Sequence, residues 1–207
     1  MSMLVIVDYD AGNLRSVLRA CEHEGIPACI SADPQEIMDA DRLIFPGVGS
    51  AESAVDTLHA RGLDKAMRDF FATGKPMLGI CLGSQIVLQK SEEGHRDCLG
   101  LVEGVVEKFD MADKTLKVPH IGWNEVEIIR PHPLLSRVES GDEFYFVHSY
   151  FTRPANAEDV YGVTDYGDRF CSMLGHKNLF ATQFHLEKSG KKGLSILAEF
   201  GVWDGCV

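Results

Sequence analysis

A doubly wound α/β fold with a mostly parallel sheet, carrying an added β-rich edge in its second half, is predicted by three features of the sequence. From residue 3 to residue 89, apolar runs of strand length alternate with segments whose apolar residues recur at helical spacing, the pattern of a parallel sheet covered by helices. Several of these runs end in glycine-rich turns, as strands do when they feed tightly into a following helix. Past Gln89 the helical spacing gives way to short β-runs, which read as an edge of the same sheet, so residues 1–207 are expected to form one domain.

Residues 3–8 are a continuous apolar run, and Leu14, Val17, Leu18 and Cys21 then repeat at helical spacing, so a strand and a helix open the chain. Between them, Tyr9-Asp10-Ala11-Gly12-Asn13 lies at the carboxyl end of the strand, where open α/β sheets gather functional residues; it reads equally as a helix cap. Residues 28–31 form a short strand, and Asp33-Pro34-Gln35-Glu36 opens a helix with a cap residue, a proline in the first turn and a capping-box glutamate. Residues 42–45 are the third strand. It ends in Pro46-Gly47-Val48-Gly49-Ser50, whose glycines let amides turn outward toward an oxyanion, or simply carry the chain into the next helix.

Helices follow at 51–60 and 63–71, the second with an apolar stripe of Leu63, Ala66, Met67, Phe70 and Phe71 suited to a core. Gly74-Lys75-Pro76 ends it and leads into an apolar strand that stops at Cys81. After a polar loop at 91–97 come β-runs at 101–109, 124–129, 143–147, 160–165, 170–174 and 179–184. A hairpin turn at Gly175-His176-Lys177-Asn178 joins the last two, and residues 195–200 supply a closing helix.

The chain has 207 residues, of which 20 are basic and 31 acidic, leaving a net charge of −11. Such a surface repels phosphate backbones and anionic bilayers, so neither nucleic acid nor membrane is an expected partner. No apolar run reaches the roughly 20 residues of a membrane-spanning helix, and the N-terminus enters Met3-Leu4-Val5-Ile6-Val7 without a charged leader, which suits a cytoplasmic protein. The six cysteines have no C-x-x-C spacing and the eight histidines no H-x-H or H-E-x-x-H pattern. Neither a disulfide framework, a metal nor another cofactor is expected.

The chemistry centres on Gly79-Ile80-Cys81-Leu82-Gly83-Ser84-Gln85. Glycines two positions either side of Cys81 remove the Cβ atoms that would clash where a strand doubles back into a helix, leaving the sulfur clear at the apex. The N–H groups that open the following helix, Leu82 first, favour a thiolate and any oxyanion formed beside it. The alternative is a small buried core cysteine. A thiol nucleophile needs a base, and the base a group that fixes its tautomer. His185 and Glu187, in H-L-E after a strand, would project from one face of extended chain, so that the imidazole takes the Cys81 proton while the carboxylate accepts its other N–H; a solvated strand end would look the same.

Taken together, G-I-C-L-G-S-Q at 79–85, H-L-E at 185–187 and P-G-V-G at 46–49 resemble the class I, triad-type glutamine amidotransferases, which have a flavodoxin-like fold. V-D-Y-D-A-G-N-L at 7–14, P-H-I-G-W-N at 119–124 and Y-F-V-H-S-Y at 145–150 resemble the branch formed by the glutaminase subunits of imidazole glycerol phosphate synthases in histidine biosynthesis, from residue 4 to about residue 200. The resemblance implies Cys81 as nucleophile, His185 as acid and base, and Glu187 as its orienter. It implies an oxyanion hole from the N–H groups of Leu82 and of Gly47 or Val48, and a glutamine pocket from Gln85, Gly49, His148, Ser149 and Tyr150. It implies a (β/α)8-barrel cyclase partner that receives the ammonia, with Asn13, His120, Trp123 and Lys188 at the interface; Trp123 taken alone also suits a core. Two residues depart from the family: Leu186 where proline is usual and Ser84 where methionine is usual. A related glutaminase of another pathway such as surface-sugar amination, a free-standing γ-glutamyl or cysteine hydrolase, and a catalytically silent binding subunit are the alternatives.

Overall fold

The structure is a computed structural model that describes residues 3–10, 12–110 and 116–206. Its centre is a parallel sheet in the order β2 (Ala28–Ser31), β1 (Leu4–Val7), β3 (Arg42–Gly47), β4 (Met77–Cys81) and β13 (Leu179–Thr182). These strands are apolar on both faces because both faces are covered. Val5, Val7 and Phe45 pack against α2 (Pro34–Asp39), α3 (Ala51–Ala60), α4 (Leu63–Ala72) and α5 (Leu82–Ile86). Leu4, Ile6, Ile44, Leu78 and Ile80 face the other way, toward α1 (Leu14–His23) and α6 (Gly190–Val202). The alternation is that of a strand with two buried sides.

Local chemistry accounts for two of the helix starts. Asp33 accepts a hydrogen bond from the Gln35 N–H at 2.7 Å and Ser50 one from Ser53 at 3.2 Å, so both act as N-caps. Of the expected core stripe on α4, Leu63, Ala66, Met67 and Phe70 are buried, and Phe71 is half-buried against the same cluster.

Beyond β13 the sheet becomes antiparallel except at one parallel pair. It runs on through β12 (Asp168–His176), β10 (Tyr150–Pro154), β7 (Gly104–Lys108), β5 (Lys90–Ser91), which pairs parallel with β7, and β6 (Arg96–Asp97), while β11 (Val160–Tyr166) joins β12 to β8 (His120–Ile128), which pairs with β9 (Asp142–His148). The expected β-rich edge is present, with three differences. Strand β10 was not predicted, because Arg153 and Pro154 break its apolar pattern; its Tyr150–Pro154 run is held by long-range pairing with β7 and β12. The expected polar loop at 91–97 contains two short strands around a 3-10 turn (Glu93–His95), with Ser91 buried. Strand β8 starts at His120, four residues earlier than predicted.

The carboxyl ends of β1, β3, β4 and β13 all lie at one end of the parallel sheet, so the loops after them converge.

Candidate active site

Cys81 is the last residue of β4 and immediately precedes α5, with φ +56° and ψ −108°, a conformation costly for a residue with a side chain. The surrounding backbone imposes it. A Cβ on Gly83 would lie 1.9 Å from the Phe45 carbonyl oxygen, and one on Gly79 would lie 2.9 Å from the Gly83 carbonyl oxygen. The glycine bracket lets α5 lie directly on the backbone of β3. Ser84, where methionine is usual, is buried and donates its hydroxyl to the Cys81 carbonyl at 2.7 Å, tying down the first turn of α5.

His185 and Glu187 come together by a different route from the one expected. Strand β13 stops at Thr182, and residues 186–188 form a 3-10 turn that His185 opens. The turn, not the alternation of an extended strand, brings the carboxylate beside the ring. His185 Nδ1 and Glu187 Oε1 are 2.8 Å apart, and their side chains are 2% and 1% exposed. A carboxylate only accepts, so Nδ1 carries a proton and Nε2 is left free toward Cys81. Asn13 Nδ2 donates to the same Glu187 oxygen, so one predicted interface residue also steadies the pair.

Burial works to lower the His185 pKa but is outweighed by its interactions with Cys81 and Glu187, which together push it up to about 9. The imidazolium is therefore the form of His185 present at neutral pH. His185 Nε2 nonetheless completes no hydrogen bond among the described residues, which is common in sites whose contacts tighten only around substrate. Leu186, where proline is usual, is fully buried in the core beneath the turn.

A cleft of about 430 Å³ opens over Cys81, lined by Leu82, Gln85, Val48, Gly49, His148, Ser149 and Tyr150 among others. The predicted pocket residues are thus brought together. Gln85 Nε2 donates to the Tyr150 carbonyl at 2.8 Å and to Gln183 Oε1 at 3.1 Å. Gly47 is the register partner of Cys81 on β3, and Gly49 has φ +112°, so the segment between them turns sharply at the cleft wall.

Two groups at the site, one against Cys81 and one in the cleft wall, escaped the sequence reading. Gln183, 1% exposed, reaches Cys81 Sγ with its amide nitrogen at 3.8 Å. Its signal was a lone polar amide in an apolar strand two residues before His185. Glu93 lines the cleft from the segment read as a polar loop, and its Oε2 accepts the Ala51 N–H at 2.6 Å.

The four predicted interface residues differ in exposure. Trp123 is 53% exposed and its neighbour on β8, Ile121, 60%, so Trp123 is not a core residue. Lys188 is exposed at the cleft rim with its Nζ 5.7 Å from the Tyr145 ring. Asn13 is half-buried, and Ala11 in the same loop lies outside the described residues. His120 is only 2% exposed, so a direct surface contact by its side chain is corrected: the alternation of β8 turns it inward while Ile121 faces out.

Inside, His120 Nδ1 lies 3.1 Å from His148 Nε2, and His148 Nδ1 lies 2.8 Å from the Tyr150 carbonyl oxygen. That carbonyl accepts, so His148 Nδ1 is a donor, His148 Nε2 an acceptor and His120 Nδ1 the next donor. His120 Nε2 then accepts from Asn124 Nδ2 at 3.4 Å. Burial lowers the two pKa values to about 4 for His120 and about 3 for His148, so both rings are neutral. Among the described residues, no group of three or more His, Cys, Asp or Glu side chains is placed to hold a metal ion.

Residues 5–202 match the family model of the class I glutamine amidotransferases. The chain belongs to that family. It is 46% identical over 203 residues to the imidazole glycerol phosphate synthase subunit HisH of Desulfovibrio desulfuricans, covering 96% of this chain and 93% of the relative. It is 44% identical over 208 residues to the subunit of the same name from Nitrosococcus oceani, covering 99% of both. Among solved structures, a glutamine amidotransferase superposes with a TM-score of 0.75 at 18% identity over 96% of this chain and 99% of that one. PurLQS from Thermotoga maritima gives 0.73 at 17% over 97% of each. At such identities these two establish the shared fold, and the amidotransferase assignment rests on the family model and the closer sequences.

Proposed function

We propose that this amidotransferase is the glutaminase subunit of an imidazole glycerol phosphate synthase, hydrolysing L-glutamine to glutamate and ammonia for histidine biosynthesis. The observation that carries the reading is the elbow cysteine facing a buried His185–Glu187 pair, in a chain 44–47% identical over nearly its whole length to subunits bearing that name.

In the proposed reaction the Cys81 thiolate attacks the side-chain carboxamide carbon of glutamine, forming a C–S bond and placing negative charge on the former carbonyl oxygen. The N–H of Leu82 and that of Gly47 or Val48 stabilise this charge. His185 gives its Nε2 proton to the nitrogen, the C–N bond breaks and ammonia departs. Water then loses a proton to the same nitrogen and attacks the thioester, releasing glutamate and restoring the thiolate. Glu187 holds the ring throughout, and Asn13 holds Glu187. Gln85 and the 148–150 segment position the substrate.

The ammonia passes to a (β/α)8-barrel cyclase subunit docked over the cleft, where it is used to make imidazole glycerol phosphate and an aminoimidazole carboxamide ribotide. Exposed Trp123 and Ile121, with Lys188 at the rim, fit such a contact. A cytoplasmic location agrees with six unpaired cysteines and with the absence, among the described residues, of a helix long and apolar enough to cross a membrane. The test is to purify the chain with its barrel subunit and measure glutamine hydrolysis with and without the nucleotide substrate. Hydrolysis should rise strongly when both are present. Full turnover by the chain alone would instead favour a free-standing hydrolase.

A further inference from the structure

Tyr9 is a buried polar residue with no task in the chemistry above. It is 1% exposed, and its hydroxyl has no hydrogen-bond partner among the described residues. A buried hydroxyl left unpaired is costly, and a phenylalanine would fill the same space without that cost. The place the hydroxyl occupies suggests what it is for. A Cβ built on Gly47 would lie 2.3 Å from Tyr9 Oη and 3.1 Å from Leu82 Cβ, so the phenol tip lies against Gly47, beside the first residue of the elbow helix. Gly47 is in turn the register partner of Cys81. Burial, and then the charge of Cys81, raise the Tyr9 pKa far above its ordinary value, so the oxygen keeps its proton and remains a donor.

A peptide plane carries its N–H and C=O on opposite sides. If the Gly47–Val48 plane points its N–H into the cleft, its carbonyl points away from the cleft and into the protein, where Tyr9 lies. Glycine at 47 leaves that plane free to take either orientation. We propose that Tyr9 is a positioning residue for glutamine hydrolysis, whose hydroxyl donates to the Gly47 carbonyl when the Val48 N–H is turned toward the oxyanion. This rests on the reading of Val48 as an oxyanion donor. The unpaired hydroxyl then belongs to the resting arrangement, and its hydrogen bond forms in the working one. It biases the plane without touching substrate.

The test is Tyr9→Phe, which deletes one oxygen, assayed in the complex with the cyclase subunit and its nucleotide substrate. The expected result is a five- to tenfold fall in kcat for glutamine hydrolysis with KM unchanged, a melting temperature not lowered, and ammonia-dependent synthesis intact. An unchanged kcat, or a loss confined to KM or to melting temperature, would overturn the proposal. Val48→Pro, which removes the N–H itself, separates the two layers. If it costs a hundredfold or more while Tyr9→Phe costs nothing, the Tyr9 proposal alone fails. If Val48→Pro leaves kcat intact, the oxyanion reading and the Tyr9 proposal fall together.

Discussion

Replacing Gly83 with alanine tests whether the elbow is built by close backbone approach. The added Cβ would lie 1.9 Å from the Phe45 carbonyl oxygen and 3.1 Å from its carbon. Ordinary contact begins near 3.4 Å, so the deficit is about 1.5 Å, against strand backbone that cannot rotate out of the way. Either β3 or the first turn of α5 must give by a distance of that order. Overpacking of this kind costs about 1–3 kcal/mol of stability. The catalytic cost should be larger, because the same shift moves the Leu82 N–H and Cys81 Sγ relative to His185, and a misplacement of about 1 Å is worth roughly a hundredfold in rate. Glutamine hydrolysis by the complex should therefore fall by about a hundredfold or more in kcat, with the fold retained by circular dichroism and ammonia-dependent synthesis unaffected. Gly62→Ala is the control: it too has a positive φ, +68°, but faces open space at the start of α4, so it should cost about 1 kcal/mol of stability and no activity. A folded Gly83→Ala complex with wild-type kcat would refute the argument.

Cys81→Ala should abolish glutamine-dependent synthesis and leave ammonia-dependent synthesis intact; loss of both would mean a folding or docking defect, and survival of glutamine use would remove Cys81 from the mechanism. A raised His185 pKa of about 9 means that the stabilisation of its charged form is complete below the ordinary value of 6.5 and is lost as pH rises through 9, where the proton for departing ammonia also disappears. Glutaminase activity should decline above about pH 9, and Glu187→Gln should move that alkaline limb to lower pH; a limb that does not move would deny His185 the role. Trp123→Ala should weaken binding of the cyclase subunit by about 2 kcal/mol or more, read by titration calorimetry, without changing the melting temperature of the isolated chain. Equal affinity in the variant would move the interface elsewhere.

How much of this was legible depended on whether the information was local. Gly79 and Gly83 announced the elbow because they bracket Cys81 within five residues, although the Phe45 carbonyl that Gly83 must clear lies on a distant strand. Asp33 was legible as a helix cap because capping is decided within three residues, while the Ser50 cap was read only as part of the turn after the third strand. Gln183 could not be read in this way, since its amide meets Cys81 only because β13 lies beside β4, a pairing between segments about a hundred residues apart. The same holds for β10, whose apolar pattern is too broken to declare a strand. H-L-E pointed to the right partners through the wrong geometry, because a two-residue separation suits a 3-10 turn as well as an extended strand. The inward turn of His120 needed the register of β8 against β9, which spacing alone does not supply.

The paired imidazoles of His120 and His148 have a consequence that reaches beyond their position. Every hydrogen bond in the row from Asn124 to the Tyr150 carbonyl runs in one direction, donor to acceptor, and neither ring has a second proton to reverse it. With pKa values near 4 and 3, that polarity is fixed above about pH 4. Only below about pH 4 would His120 take up a proton on Nε2 and confront the Asn124 amide donor to donor. The row links the strand that bears Trp123 to the carbonyl that holds Gln85 through hydrogen bonds of fixed direction. A change of acidity within the physiological range therefore leaves this link between the Trp123 strand and the glutamine pocket untouched.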